Sequence, residues 1–172
     1  MSFTEHNVNG VIFDTAGTLS VGGVRHAFTT RHGGVSPAPF DSLNLASNRG
    51  DREENILENY RRLGAAVGFA PEQTVFTRQE HTDTILRVGK SDCGTGLSRE
   101  QTVVCDGLIT DEPGVALCCF GADCTTILLF DPVTGALGAV HSGWRGTAMG
   151  IAAKAVAATC REFGCDPAGI RA

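Results

Sequence analysis

The sequence predicts an α+β fold in which helices cover mixed β-sheet, and three observations carry that reading. Short apolar runs cut by Gly, Pro and Asp recur along the chain, the pattern of buried strands. Two longer segments instead repeat apolar residues at helical spacing. The chain has 172 residues, and at roughly 100 to 200 residues per domain both kinds of element must share one compact domain, residues 1–172.

The elements follow in order. Residues 11–13 and 24–29 are strand candidates, and the stretch 31–40, with Gly33, Gly34, Pro37 and Pro39, reads as an ordered loop. Asp51 opens a helix on which Ile56, Tyr60, Leu63 and Val67 share a face, with Glu53, Glu54 and Glu58 early and Arg61 and Arg62 late, as the helix dipole prefers. Gly68 ends it and Pro71 blocks its continuation. Strands are expected over 74–78 and 84–88 around a polar turn that holds His81, then over 107–110, 115–120, 125–130 and 136–140. The last two form a hairpin across residues 131–135. A second helix is expected from Thr147 to Phe163, with Met149, Ala152, Val156, Cys160 and Phe163 on its apolar face and Gly164 as its stop.

Composition removes several function classes. The chain is 42% hydrophobic and 19% charged, with 14 basic and 19 acidic residues and a net charge of −5. This is a folded chain rather than a disordered one. An acidic balance argues against nucleic acid or an anionic membrane as partner, since binding to either draws on an excess of Lys and Arg. No apolar run approaches membrane-spanning length and the start of the chain lacks the pattern of a secretory signal, so a soluble, cytoplasmic protein is expected. Seven cysteines, an odd number without a CxxC pair, point to reduced and mostly buried thiols. Glycine is in excess, at 22 residues without a period, as expected of tight turns and close backbone approaches.

The hairpin brings chemistry together. Pairing Phe130 with Gly135 would set Cys124 opposite His141, and a turn longer by one residue would make them diagonal neighbours on different faces. Either register keeps a thiol beside an imidazole, at strand ends flanked by Gly121, Gly143 and Gly146. Such a pair suits a metal site or a thiolate nucleophile, and equally a buried Cys beside a hydrogen-bonded His. His81 is the natural third member, although the spacing of the three matches no local zinc-finger pattern. Two imidazoles and a thiolate would suit zinc with one position open. Of the other histidines, His6 is expected in a mobile end, His26 within a strand and His32 on the loop surface. Arg31 with the Gly33 and Gly34 amides forms a candidate anion nest, and Arg145 is a second anion candidate. Asp14, Asp106 and Asp123 offer carboxylates without a telling pair.

Six motifs occur in sequence: Thr30-Arg31-His32-Gly33-Gly34-Val35-Ser36, Ser42-Leu43-Asn44-Leu45, Gln79-Glu80-His81, Asp106-Gly107-Leu108-Ile109-Thr110, Ala122-Asp123-Cys124 and His141-Ser142-Gly143-Trp144-Arg145-Gly146. Together they resemble the YfiH-like laccase-domain family, whose members are also labelled multicopper polyphenol oxidase, peptidoglycan editing factor and purine nucleoside phosphorylase. The resemblance runs from about Val11 to the last residue.

It implies a layered α/β/β/α sandwich with mixed β-sheets and a zinc site at His81, Cys124 and His141. It further implies zinc-dependent phosphorolysis of adenosine, inosine, guanosine and methylthioadenosine, with adenosine deaminase activity in the same site. Arg31 and Asn44 match positions lining the family's pocket and are expected to bind the substrate's phosphate or ribose, Arg31 with the Gly33 and Gly34 amides holding phosphate. The implied partners are a purine nucleoside and phosphate, with the chain a monomer or homodimer. Alternatives are a cysteine hydrolase using Cys124 and His141 in peptidoglycan-precursor editing, and an inactive fragment of the family. A blue-copper site with a multinuclear cluster would need more imidazoles than the five histidines present, which argues against a laccase mechanism. The family usually has Gly after the Gln-x-His histidine; Thr82 stands there, a change expected to alter the turn and leave the ligand intact. Members also continue past the equivalent of Ile170-Arg171-Ala172, so the chain is expected to lack the domain's C-terminal part.

Overall fold

The structure is a computed structural model that describes residues 2–47 and 49–172. They fall into two compact units, Met1–Pro71 and Glu72–Ala172. The α+β expectation holds: helices and both parallel and antiparallel strand pairs are present.

In the first unit β1 (Phe3–Val8), β2 (Val11–Ala16) and β3 (Phe28–Thr29) form an antiparallel sheet in that order. Val8 pairs with Val11 across Asn9-Gly10, both at positive φ, the two-residue turn whose twist matches that of the strands. The expectation of a mobile end at His6 is therefore wrong. His6 lies in β1, stacked on Phe13 at 5.0 Å between ring centres, with Nε2 2.9 Å from Thr15 Oγ1. The strand expected over 24–29 shrinks to Phe28–Thr29, and His26 instead accepts the Ala16 amide at Nε2 (2.8 Å). Helix α1 (Glu53–Val67) buries Ile56, Tyr60 and Leu63 as its periodicity predicts, and ends at Gly68 with φ 98°. Val11, Phe13, Leu43 and Leu63 form this unit's core.

The second unit holds β4 (Thr74–Phe76) paired parallel with β7 (Ala116–Cys118), and a four-stranded mixed sheet. In the latter, β5 (Ile85–Arg87) runs parallel to β6 (Gly107–Thr110). β9 (Leu137–Ser142) lies antiparallel to both β6 and β8 (Thr125–Phe130). The hairpin register differs from both expected ones: Phe130 pairs with Leu137 and Thr126 with His141. The cause is a longer turn. The Asp131 carboxylate accepts from the Val133 and Thr134 amides and from Thr134 Oγ1, and the Asp131 amide donates to the Ala136 carbonyl, which draws residues 131–136 out of the ladder.

The second helix is also corrected. It is two helices, α2 (Trp144–Ala148) and α3 (Ile151–Phe163), divided at Gly150 with φ 75°. The buried face of α3 is Ile151, Ala155, Ala158 and Thr159, which leaves Met149 and Ala152 exposed. Ile151 and Ala155 pack on Leu129 and Val140 of the sheet, while Val75, Val88, Cys105, Leu108 and Val115 form a separate cluster. No helix among the described residues is long and apolar enough to cross a membrane. All seven cysteines are free thiols, but the expectation that most are buried fails: Cys105 and Cys165 are buried and the other five are partly exposed.

Candidate metal centre

Three side chains converge at one end of the mixed sheet. His141 lies in β9 opposite Thr126, and Cys124 stands in the bend just before β8, two residues ahead of Thr126 and on the side of His141. His81 comes from the turn after β4. Its position depends on Gln79, whose side-chain amide donates to the Phe120 carbonyl (2.8 Å) and accepts the Phe120 amide (2.7 Å). That pair of bonds fastens the His81 turn to the segment leading into Cys124.

Cys124 Sγ lies 3.7 Å from His81 Nε2, and the two imidazoles meet edge to face at 4.9 Å between centres. One ligand atom from each of the three residues falls within 4.8 Å of the others. A tetrahedral zinc with Zn–N near 2.0 Å and Zn–S near 2.3 Å separates its N and S ligands by about 3.6 Å. The donor set and its spacing therefore fit a borderline-soft divalent ion. His141 is 3% exposed, whereas His81 and Cys124 are only partly buried, so the approach is from their side.

Asp106, just before β6, is wholly buried and organises the group. Its Oδ1 accepts His141 Nδ1–H (2.8 Å) and the His81 amide (3.1 Å). Its Oδ2 accepts the Thr82 amide and hydroxyl (both 2.7 Å) and the Glu80 amide (3.3 Å). Burial pushes its acidity down, but the bonds from His141 and Thr82 outweigh this and hold the carboxyl below the usual aspartate value. The Nδ1 contact leaves His141 Nε2 to face an ion. Thr82, which stands where the family usually has Gly, donates both its amide and its hydroxyl to Asp106, so its side chain joins the cluster that holds the His81 turn.

Gly143 makes room. Its φ of −68° suits any residue, but a Cβ there would overlap His81 Cδ2 and lie 3.1 Å from His81 Nε2 and 3.2 Å from His141 Cε1. Arg145 follows in α2, exposed and 5.2 Å over the Trp144 ring, itself 72% exposed.

Arg31 and Asn44 belong to the first unit, the triad to the second. Arg31 is exposed and donates from Nε and from one terminal nitrogen to Asp41 (2.7 and 2.9 Å), and the guanidinium has further donors. Asn44 Nδ2 donates to Asp51 (3.0 Å) and its Oδ1 accepts the Ala46 amide (3.1 Å), so its side chain braces its own loop. The expected amide nest is also internally engaged. The Gly34 amide donates to Ser42 Oγ (3.1 Å), and a Cβ on Gly33 or Gly34 would overlap the backbone of Val11 or of Ser42 and Leu43. The glycine pair serves close backbone approach. Gln79 is the contributor that residue reading missed, and Asp106, offered there only as a carboxylate without a telling pair, finds its partners here: both lie within the quoted motifs, but their partners are distant in sequence.

The sequence profile described as "Multi-copper polyphenol oxidoreductase laccase" matches residues 25–172. The chain belongs to this laccase-domain family. Among its relatives, Purine nucleoside phosphorylase YlmD of Geobacillus stearothermophilus is 45% identical over 126 residues, covering 72% of this chain and 46% of that protein. Purine nucleoside phosphorylase LACC1 of Mus musculus is 40% identical over 144 residues, covering 82% of this chain and 31% of that protein. The crystal structure of YlmD from Geobacillus stearothermophilus superposes with a TM-score of 0.86 at 38% identity, over 98% of this chain and 62% of that one. Bacillus licheniformis YfiH gives 0.85 at 34% identity, with the same coverages. This laccase-domain chain thus spans less than two thirds of the length of each of these relatives, and of about half or less of the two curated ones.

Proposed function

We propose that this chain carries the metal centre of a purine nucleoside phosphorylase, with zinc held by His81, Cys124 and His141. The convergence of the three ligand atoms within 4.8 Å carries the reading, and relatives named purine nucleoside phosphorylase supply the reaction class. The substrates are adenosine, inosine, guanosine and methylthioadenosine with phosphate, and adenosine deamination shares the site. Bound there with one position open, zinc would supply Lewis acidity toward a substrate or water oxygen.

The chain's own residues bind and orient. Arg31, with donors beyond those on Asp41, holds phosphate. Asn44, the second proposed substrate-binding residue, has its own loop braced through Asp51 and Ala46. In phosphorolysis a phosphate oxygen bonds to the ribose C1′ as the bond from C1′ to the purine nitrogen breaks; the electron pair leaves on the purine, which takes up a proton. His141, kept as the Nδ1–H tautomer by Asp106, and His81, fixed through its amide, are presented without reorganisation.

Cysteine hydrolysis needs a depressed thiol pKa. Cys124 shows the reverse: desolvation and the Asp123 carboxylate push its thiol up. The five histidines of this chain, of which three converge, do not supply a multicopper set.

The test is to incubate the 172-residue chain with adenosine and phosphate and to assay adenine, ribose 1-phosphate and inosine, with zinc measured by elemental analysis. The expected result is one zinc per chain and all three products, with zinc lost in Cys124→Ala. Full zinc occupancy in that variant would remove Cys124 from the ligand set. Zinc binding without turnover would identify the chain as an inactive piece of the enzyme.

A further inference from the structure

We infer that Asp106 is a single positioning residue for both imidazoles of the metal centre, so that its two oxygens set the affinity and geometry with which His81 and His141 take a metal. This rests on the metal-centre reading above. The two histidines reach the site by different routes, one on a strand and one on a turn, and each is tied to the same buried carboxylate. His141 is oriented through its ring: Asp106 Oδ1 accepts the hydrogen bond from Nδ1–H, and the Asp106 carbonyl accepts the His141 amide at 2.6 Å. His81 is oriented through its backbone. It sits at φ 60°, an uncommon conformation for a residue with a Cβ, and three consecutive amides, from Glu80 to Thr82, all point at the Asp106 carboxylate. A carboxylate that accepts from every side has no substitute of equal shape and equal acceptor capacity.

Asn shows why. It offers one oxygen and one NH2 in place of two oxygens. If the NH2 faces His141, the imidazole must accept at Nδ1 and carry its proton on Nε2, so the ligand atom is lost. If the NH2 faces Thr82, it meets the amide and hydroxyl donors there, and the turn that places His81 loosens. Either orientation of Asp106→Asn displaces one ligand.

The experiment measures zinc affinity by chelator competition, and the cobalt(II) absorption spectrum, for the folded 172-residue chain and for Asp106→Asn, with thermal unfolding of both metal-free proteins alongside. The expected result is zinc bound about 10- to 100-fold more weakly by the variant, with altered cobalt d–d bands. Equal affinity and an identical spectrum in a folded variant would overturn the positioning role and leave the metal centre standing. A wild-type chain that binds neither metal would overturn both. Should Asp106→Asn fail to fold, long-range proton–nitrogen NMR of the metal-free wild type decides. A proton on His141 Nδ1 supports the role, and a neutral ring protonated at Nε2 alone overturns it.

Discussion

Gly143→Ala isolates the geometric requirement of the site. The backbone at this position, φ −68° and ψ 170°, is open to alanine, so any effect comes from the added methyl group. That methyl would overlap His81 Cδ2 and crowd His81 Nε2 at 3.1 Å and His141 Cε1 at 3.2 Å. His141 cannot yield, being 3% exposed and bonded to Asp106. His81 is partly exposed and can swing outward, away from Cys124. Overpacking of this kind costs about 1–3 kcal/mol. Because the metal-free protein relieves it by rotating one ring, the cost falls on metal binding rather than on folding. At 1.4 kcal/mol per tenfold, zinc affinity should drop roughly 5- to 150-fold, while the unfolding midpoint of the metal-free chain stays close to wild type. Chelator competition gives the first quantity and urea denaturation the second. Zinc affinity unchanged within twofold would refute the claim that His81 must approach this closely, and a large loss of metal-free stability would show that His81 is locked in place before metal binds.

Three further outcomes are expected. Leu108→Ala removes a fully buried side chain packed with Val75, Val88, Cys105 and Val115, and should cost about 2–5 kcal/mol by urea denaturation. Gly150→Ala meets no atom within 4 Å but forces alanine to φ 75°, so unfolding measurements should show a purely conformational loss of about 1–2 kcal/mol. Glu58 is held at about 2 by hydrogen bonds from Arg61 and Arg62, below its ordinary 4.5. Its contribution is therefore present above pH 4.5 and lost as pH falls through about 2. The stability difference between wild type and Glu58→Gln should shrink over that window and shrink with added salt, the pair being solvent-exposed.

How much was legible depends on where each element meets its partners. Strands β6, β8 and β9 read directly as apolar runs because they pack inside the second unit, and α1 because its buried positions and its caps agree with one another. β1 was missed because its sequence is polar and its residues largely exposed, although Asn9-Gly10 is a strong local hairpin signal. The break at Gly150 was missed because the residues on either side form good helix and the apolar repeat runs through it. Residue types and pattern alone brought Cys124 near His141 and nominated His81 as the third member, and the family resemblance then joined the three into one site. Asp106 and Gln79 could not be weighed in that way, since their partners lie 24 to 41 residues away and come together only through strand pairing.

The hairpin register joins fold to site. β6 and β9 pair with Gly107 opposite Val140, which sets Asp106 beside His141 at the end of the sheet where β8 begins. A slip of one residue between β8 and β9 would turn Cys124 to the face away from His141, since side chains alternate along a strand. Near the site that slip is opposed by the Gln79–Phe120 bonds, which hold the segment leading into Cys124. It is opposed again at the far end of the hairpin, where the Asp131 carboxylate organises the turn and fixes Phe130 opposite Leu137. On the other side of β9, the amide of His141 is bonded to the Asp106 carbonyl and its ring to the Asp106 carboxylate, so the same residue that orients the imidazole also secures the strand that carries it. The candidate metal site is thus set by two aspartates at opposite ends of one sheet, Asp131 through register and Asp106 through direct contact, and a change at either is felt at the same three candidate ligand atoms.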